Sequence, residues 1–315
     1  MTSDSAMGRY EQAVPEPKRL VGRRALRFLL TDTCNLRCVF CHNEFQGDMG
    51  SRPRETWNWD RVRALLADAA VPNRPRVKIS GGEPTLRWST LLQLLRLSRE
   101  VDARDLTLFS NLTLLSESRI DTLRDAGLDH VAANLPSFRS GIFASRTAQS
   151  RQPLNLVLEN AALLRSAGIS VQFNLVVPRL DDESAVKAFL TAELAAADAH
   201  SATWDTIALV ADDWSPNPTE VQGWIRRWLG WERGLVERTD RPYRSHEFDW
   251  GGRRVLASRC TRWGREQERA EADDYVVAPG RILRAHVRGR AYRAAPGATD
   301  GQEPPGPASG GRVPM

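Results

Sequence analysis

Three of the four cysteines fall within eight residues, in the segment Thr31-Asp32-Thr33-Cys34-Asn35-Leu36-Arg37-Cys38-Val39-Phe40-Cys41-His42-Asn43-Glu44. Thiolates are soft ligands that suit zinc and iron–sulfur centres. Cys34, Cys38 and Cys41, in a C-x3-C-x2-C spacing, can hold three corners of a [4Fe–4S] cubane, whose full complement is four. One iron is then left without a protein ligand and can bind an exogenous chelator. Zinc is the rival, with His42 as a fourth ligand. Adjacent Cys41 and His42 would sit awkwardly on one tetrahedral ion, however, and structural zinc sites commonly use separated pairs. The fourth cysteine, Cys260, lies more than two hundred residues away. One thiolate cannot hold a cubane, so Cys260 reads as a small buried hydrophobe.

A loop of this kind needs a scaffold, and the rest of the sequence supplies the pattern for one. Short β-rich apolar runs at 25–31, 76–80, 105–110, 130–135, 170–177 and 203–210 alternate with helical patterns at 58–70, 87–100, 116–126, 154–167, 183–198 and 219–231. Gly127 and Gly168 stand just past two of these helices, where a left-handed cap residue belongs. Strand–helix alternation of this period predicts a parallel α/β sheet. Six repeats are too few for a closed eight-fold barrel, so the expectation is a partial (β/α)6 TIM-like barrel with a small C-terminal extension.

Parallel α/β sheets place their chemistry at the C-terminal ends of the strands. The unusual motifs all fall there. The cysteine loop follows the first strand, Gly81-Gly82-Glu83-Pro84 the second and Ser110-Asn111 the third. Asn134 ends the fourth strand, Asn174 lies late in the fifth, and Asp212-Asp213-Trp214 follows the sixth.

The composition is that of an ordinary globular protein: 315 residues, 41% hydrophobic and 26% charged. No apolar run approaches the length of a membrane span, and the first twenty residues hold no secretory h-region. The cytoplasm is therefore the expected location, where a compact cysteine trio speaks for metal rather than disulfides. The net charge of +5 is concentrated at the ends. Residues 1–27 carry +3 and residues 281–315 carry +4, which leaves the middle of the chain at about −2. A polyanion-binding fold shows the opposite distribution, so nucleic acid is not an expected partner. Only Lys18, Lys78 and Lys187 are lysines, a skew toward arginine that looks like GC-rich coding.

The two leading motifs, C-x3-C-x-Phe-C after the first strand and Gly81-Gly82-Glu83-Pro84 after the second, together resemble the radical S-adenosylmethionine (SAM) superfamily. Over roughly residues 22–215 the chain is similar to the branch that contains the molybdenum-cofactor GTP cyclase. The similarity is carried by Leu26-Arg27 ahead of the cysteine loop, Ser110-Asn111-Leu112 leading to Leu115-Ser116-Glu117, Ala126-Gly127-Leu128-Asp129 and Asn174-Leu175-Val176-Val177. The resemblance implies that the open iron binds the amino and carboxylate groups of SAM. Reductive cleavage there gives methionine and a 5′-deoxyadenosyl radical that abstracts hydrogen, while the protein positions and shields the reactants. It further implies that Gly81 and Gly82 let the backbone approach the methionine amino group. Glu83 is expected to offer a carboxylate to that ammonium, or alternatively to cap Thr85-Leu86. Pro84 completes this motif. Ser110 and Asn111 resemble residues that bind ribose or carboxylate. Asn134 and Asn174 occupy SAM-contacting places, with strand-end capping as the alternative. Phe40 is expected either beside the adenine or as a buried aromatic next to the cluster.

The resemblance fails in the C-terminal region. Three further cysteines would be needed for the second cluster of the GTP cyclase, and only Cys260 is present, so GTP cyclisation is not expected. Residues 1–21 read as a flexible arm, 22–231 as the core, 232–293 as a reduced C-terminal domain and 294–315 as a disordered tail. A strand pair is expected around Pro279-Gly280. Trp224, Trp228 and Trp231 form a helical stripe that reads as core packing. His130, His200, His246 and His286 have no motif context. The expected activity is radical chemistry on a small molecule in specialised metabolism, with an external electron donor such as flavodoxin or ferredoxin. The alternatives are a peptide-modifying maturase, against which no leader-binding domain is apparent, and a non-catalytic zinc-binding module.

Overall fold

The computed structural model describes residues 25–41, 57–70, 74–148, 154–178, 180, 182–211, 218–235, 237–238, 245–259, 274–278 and 281–284. His42, Asp212, Asp213, Trp214, Cys260, Pro279, Gly280 and His286 lie outside them, as do the two terminal segments.

Six strands follow the expected positions closely: β1 (Ala25–Leu29), β2 (Arg76–Ser80), β3 (Arg104–Phe109), β4 (His130–Asn134), β5 (Ser170–Val177) and β6 (Thr206–Ala211). The helices α1 (Trp59–Ala69), α2 (Trp88–Glu100), α3 (Glu117–Asp125), α5 (Leu154–Ser166), α6 (Glu183–Ala199) and α7 (Pro218–Arg227) likewise match. Asn58, Ser116 and Asp182 begin α1, α3 and α6 by accepting a backbone N–H three residues on. Gly127 (φ +87°) and Gly168 (φ +81°) end α3 and α5 in the left-handed region.

Two differences have local causes. β6 starts at Thr206 rather than 203, because residues Ser201–Thr203 form a 3₁₀ turn off the end of α6. Helix α4 (Ser140–Thr147), between β4 and α5, was not expected. It buries only Phe143 and Thr147, so it has no apolar stripe to announce it.

The strand order is β11-β10-β1-β2-β3-β4-β5-β6-β9-β8-β7, where β7 is Glu237–Arg238, β8 Ser245–Trp250, β9 Arg253–Arg259, β10 Asp274–Ala278 and β11 Arg281–Arg284. From β10 through β1 to β6 and on to β9, every neighbour pairs in parallel. Antiparallel strands finish both ends, and the sheet does not close on itself. The fold is thus a partial barrel of the expected kind. Strands from beyond residue 232 join both edges of the six-strand core. The strand pair expected around Pro279-Gly280 is β10 with β11.

Alternation along each strand sorts the two faces. Val77, Ile79, Leu106, Leu108, Val171, Phe173 and Leu175 are fully buried in one continuous apolar core. The opposite face carries Arg27, Lys78, Thr107 and His130, which lie side by side across β1 to β4 and are half-buried. This level of the face is polar across β1 to β4, while the next level toward the strand ends holds Leu29, Phe109 and Ala132 beside Ser80 and Gln172.

The tryptophan stripe on α7 is only partly in the core. Trp228 is buried and Trp224 packs against the core, but Trp231 is 81% exposed. A π-turn over Trp228–Glu232, marked by the Arg233 N–H to Trp228 carbonyl bond of 3.0 Å, widens the helix and rotates Trp231 off the stripe. Among the described residues no helix is long and apolar enough to cross a membrane.

Candidate active site

The cysteine loop leaves β1 and lies against the loop that follows β2. Gly82 N–H donates to Thr31 O at 2.6 Å and Glu83 N–H to Thr33 O at 2.8 Å. Side chains at the glycines would prevent this contact. A Cβ on Gly82 would sit 2.2 Å from Thr33 O, and one on Gly81 2.3 Å from Thr31 O. Gly81 also has φ +132°, a conformation suited to glycine. The glycines therefore make room for the backbone of the cysteine loop.

Glu83 is 1% exposed and accepts four hydrogen bonds. Oε1 receives Thr85 N–H at 3.0 Å, the Thr85 hydroxyl at 2.6 Å and the Ser110 hydroxyl at 2.9 Å, while Oε2 receives Asn111 N–H at 2.8 Å. Pro84 opens the 3₁₀ turn that Glu83 caps. This is the capping geometry, one of the two roles read from the sequence. Burial pushes the carboxyl above its usual range, and the hydrogen bonds from Asn111, Thr85 and Ser110 oppose that rise. The carboxylate couples the loops after β2 and β3.

Ser110 is buried and its hydroxyl is engaged twice, donating to Glu83 and accepting Leu112 N–H at 3.1 Å. Leu112, fully buried, takes φ +64°, and its carbonyl is held by the buried Asn160 at 2.9 Å. Asn111 is fixed by its oxygen, which accepts both Thr113 N–H at 3.0 Å and the Thr113 hydroxyl at 2.6 Å. Its Nδ2 therefore faces Asn35 Oδ1 at 2.8 Å and Cys34 Sγ at 3.8 Å. Asn35 Nδ2 donates to Thr113 Oγ1 at 2.8 Å, which closes the network.

The thiols of Cys34 and Cys38 are half-buried and that of Cys41 is exposed. Burial pushes Cys38 up to about 12, and the nearby Cys41 and Cys34 push in the same direction. Cys34 is raised mainly by burial, with Glu83 and Cys41 adding to it and the Leu36 and Asn111 donors opposing. The loop thus gathers thiols that resist ionising together, and a cationic metal centre reverses that penalty by coordinating thiolates. Among the described residues, no three His, Cys, Asp or Glu are placed to share one metal ion. Three soft thiols on one loop are nonetheless the donor type that an iron–sulfur cubane takes, one to each of three irons.

Phe40 is buried beneath the guanidinium of Arg146, 5.1 Å from ring centroid to Cζ. Asn134 and Asn174 are register partners on β4 and β5. Their amides approach to 3.4 Å, and Asn174 also accepts from Gln172 at 2.7 Å. Both lie on the face of the sheet that carries His130 and Gln172. Sequence reading missed Arg146, Thr113, Asn160 and Glu193. None belongs to a local motif, and each acts across more than one element.

Residues 28–192 match the radical SAM superfamily. A probable GTP 3′,8-cyclase of Methanocella arvoryzae is 34% identical over 160 residues, covering 49% of this chain and 48% of that protein. A PqqA peptide cyclase of Bradyrhizobium diazoefficiens is 32% identical over 154 residues, covering 48% of this chain and 38% of that protein. The matched stretch thus spans about half, or less, of the length of these curated relatives. Among solved structures, Streptococcus suis SuiB bound to S-adenosylmethionine superposes with a TM-score of 0.54 at 12% identity, over 85% of this chain and 60% of that one. That likeness is one of fold.

Proposed function

This chain belongs to the radical SAM superfamily, and from that premise we propose that Cys34, Cys38 and Cys41 each hold one iron of a [4Fe–4S] cluster whose fourth iron receives SAM. The family identifies the chain as an enzyme and implies both cofactors, which sets aside the zinc-module reading. A cluster held by these thiolates would supply the electron for reductive cleavage of SAM and, through it, hydrogen-atom abstraction from a substrate.

The protein's own residues have separable tasks. The Gly81-Gly82 turn lets the cysteine loop lie on β2. Glu83 holds the loops after β2 and β3 in one register, so that the strand ends around the SAM site form a fixed rim. Asn111, Asn134 and Asn174 present amides along that rim, and these are the side chains we assign to SAM. Ser110 supports Asn111 through Glu83, which both of them hydrogen-bond.

The observation that carries the substrate reading is the polar row of Arg27, Lys78, Thr107 and His130 on the face of the sheet opposite the core, the face that also bears Gln172, Asn134 and Asn174. Such a surface suits a small polar molecule bound beneath the point of radical release. A peptide substrate is the second reading. It is favoured by the unclosed sheet, which admits an extended chain from the side, and by the similarity to a PqqA peptide cyclase. An electron carrier of the flavodoxin or ferredoxin class is the proposed reductant, and the cytoplasm the proposed location.

The test is anaerobic reconstitution followed by incubation with dithionite and SAM. Slow release of 5′-deoxyadenosine without substrate is expected, together with a change in the EPR spectrum of the reduced cluster when SAM is added. An iron-loaded protein that shows neither would overturn the SAM-cleaving reading.

A further inference from the structure

Helix α4 holds the cysteine loop through its C-terminal end. Val39 N–H donates to Arg146 O at 2.9 Å, and Arg37 N–H reaches Thr147 O at 3.4 Å. Carbonyls that would be left over at a helix terminus are thus satisfied by loop amides. The Arg146 side chain completes the seam. Its guanidinium lies over Phe40, and Nη1 donates to Val176 O at 2.7 Å and Pro136 O at 3.2 Å. One side chain therefore joins the stretch between Cys38 and Cys41, the turn after β4 and the end of β5. A planar fork can stack on a ring and reach carbonyls at once, which an ammonium cannot reproduce.

The charge has a consequence separate from the geometry. Reduction adds a negative charge to a cluster already held by three thiolates. The C-terminal end of α4 contributes negative potential of its own. A half-buried cation packed against that loop from α4 offsets both, and Arg146 is near enough for its charge to act on Cys38.

Resting on the cluster reading above, we propose that Arg146 is a positioning residue with two roles. Its fork seats the cysteine loop on α4, β4 and β5, and its charge keeps the cluster reducible.

The two roles separate experimentally. The midpoint potential is read by EPR-monitored dithionite titration of reconstituted protein without SAM. Seating is read by amide hydrogen exchange at Val39 in cluster-free protein. Arg146→Gln should lower the reduced-to-oxidised ratio at fixed potential about tenfold, which is ~59 mV for one electron. It should also speed Val39 exchange about tenfold, as loss of a local contact does. Arg146→Lys should keep the potential close to wild type and still show the faster exchange.

A wild-type potential in iron-loaded Arg146→Gln overturns the charge role, and so does an equal drop in Arg146→Lys. Unchanged Val39 exchange in both variants overturns the seating role. Should the Gln variant not fold, Arg146→Lys decides alone: retained potential with faster exchange supports the proposal, and any other pattern overturns it. Wild-type protein that takes up no iron would count against the cluster assignment instead, while the exchange measurement on cluster-free protein still tests the seating.

Discussion

The Ser110 hydroxyl donates to Glu83 Oε1 at 2.9 Å, in a place where neither residue is open to water. Two motifs 27 residues apart in sequence are thereby one hydrogen-bonded unit. Glu83→Gln tests this unit. Oε1 can remain an acceptor, but the new amide must then face Asn111 N–H, donor against donor. Leaving a buried donor unpaired costs about 1–3 kcal/mol, to be read from urea unfolding. A cost below the error of that measurement would show that the carboxylate does not bind the two loops together.

Glu83 also carries a pH signature. Burial raises its native pKa above the unfolded value near 4.5. The native state then holds the extra proton between the two values, so this group's contribution is full below about 4.5 and is lost as pH rises through the raised native pKa. Glu83 and the Cys34 thiol act on each other across the loops, and that thiol, itself raised by burial, is neutral in this window. Subtracting the Glu83→Gln unfolding curve from the wild-type curve in cluster-free protein should give a difference that declines with rising pH. A difference that grows with pH would contradict the burial argument.

Gly82 and Gly168 make a matched comparison. A Cβ at Gly82 meets backbone atoms of Thr33 at 2.2 and 2.5 Å, which no rotamer change can relieve. Gly82→Ala should therefore cost about 3 kcal/mol or more and reduce iron uptake, because the cysteine loop must move. Gly168 has open space around it and only its φ of +81° to satisfy, so Gly168→Ala should cost roughly 1–2 kcal/mol and leave iron uptake intact. SAM crowding was the reason for Gly82 read from the sequence. Loss of iron before any loss of SAM affinity would identify the loop contact instead.

Much of this fold was legible because its signals are local. Cap residues, left-handed glycines and apolar runs fix where β1 to β6 and their helices lie, and the cysteine spacing and Gly81-Gly82-Glu83-Pro84 are contiguous motifs. What was not legible depends on distant pairing. Nothing in residues 253–259 says that β9 will extend the sheet beyond β6, since register in a parallel pair is set by tertiary packing. Helix α4 escaped because its order comes from contact with the cysteine loop. Glu193 reads as a solvated acid on an amphipathic helix, and only the fold shows it with no exposed surface. The capping role of Glu83 was visible in the sequence, but its contacts with Ser110 and Asn111, 27 and 28 residues on, were not.

Glu193 supports α4 from behind. Its carboxylate accepts the Ser137 hydroxyl at 2.7 Å, Phe138 N–H at 2.8 Å and Arg139 Nε–H at 2.8 Å, and so shapes the turn that starts α4. Removing one member of a buried charged network costs about 3–5 kcal/mol. The Arg139 side chain is 41% exposed, however, and water will take part of its charge. Glu193→Gln should therefore cost about 2 kcal/mol in urea unfolding, with faster hydrogen exchange in α4. Exchange confined to α6 would mean that Glu193 serves its own helix only.

Three thiols on one loop suffice for one cubane, so anaerobically reconstituted protein should bind about four irons. Each of Cys34→Ala, Cys38→Ala and Cys41→Ala should lose the cluster absorbance and SAM cleavage together. Exposure does not rank them, because each thiolate takes its own iron and the exposed Cys41 is as necessary as the half-buried pair. Cys260→Ala should leave both properties intact, since one thiolate cannot anchor a second cluster. A reproducible count near eight irons, or cluster loss in Cys260→Ala, would mean that a second centre is assembled with ligands other than the three cysteines of this loop.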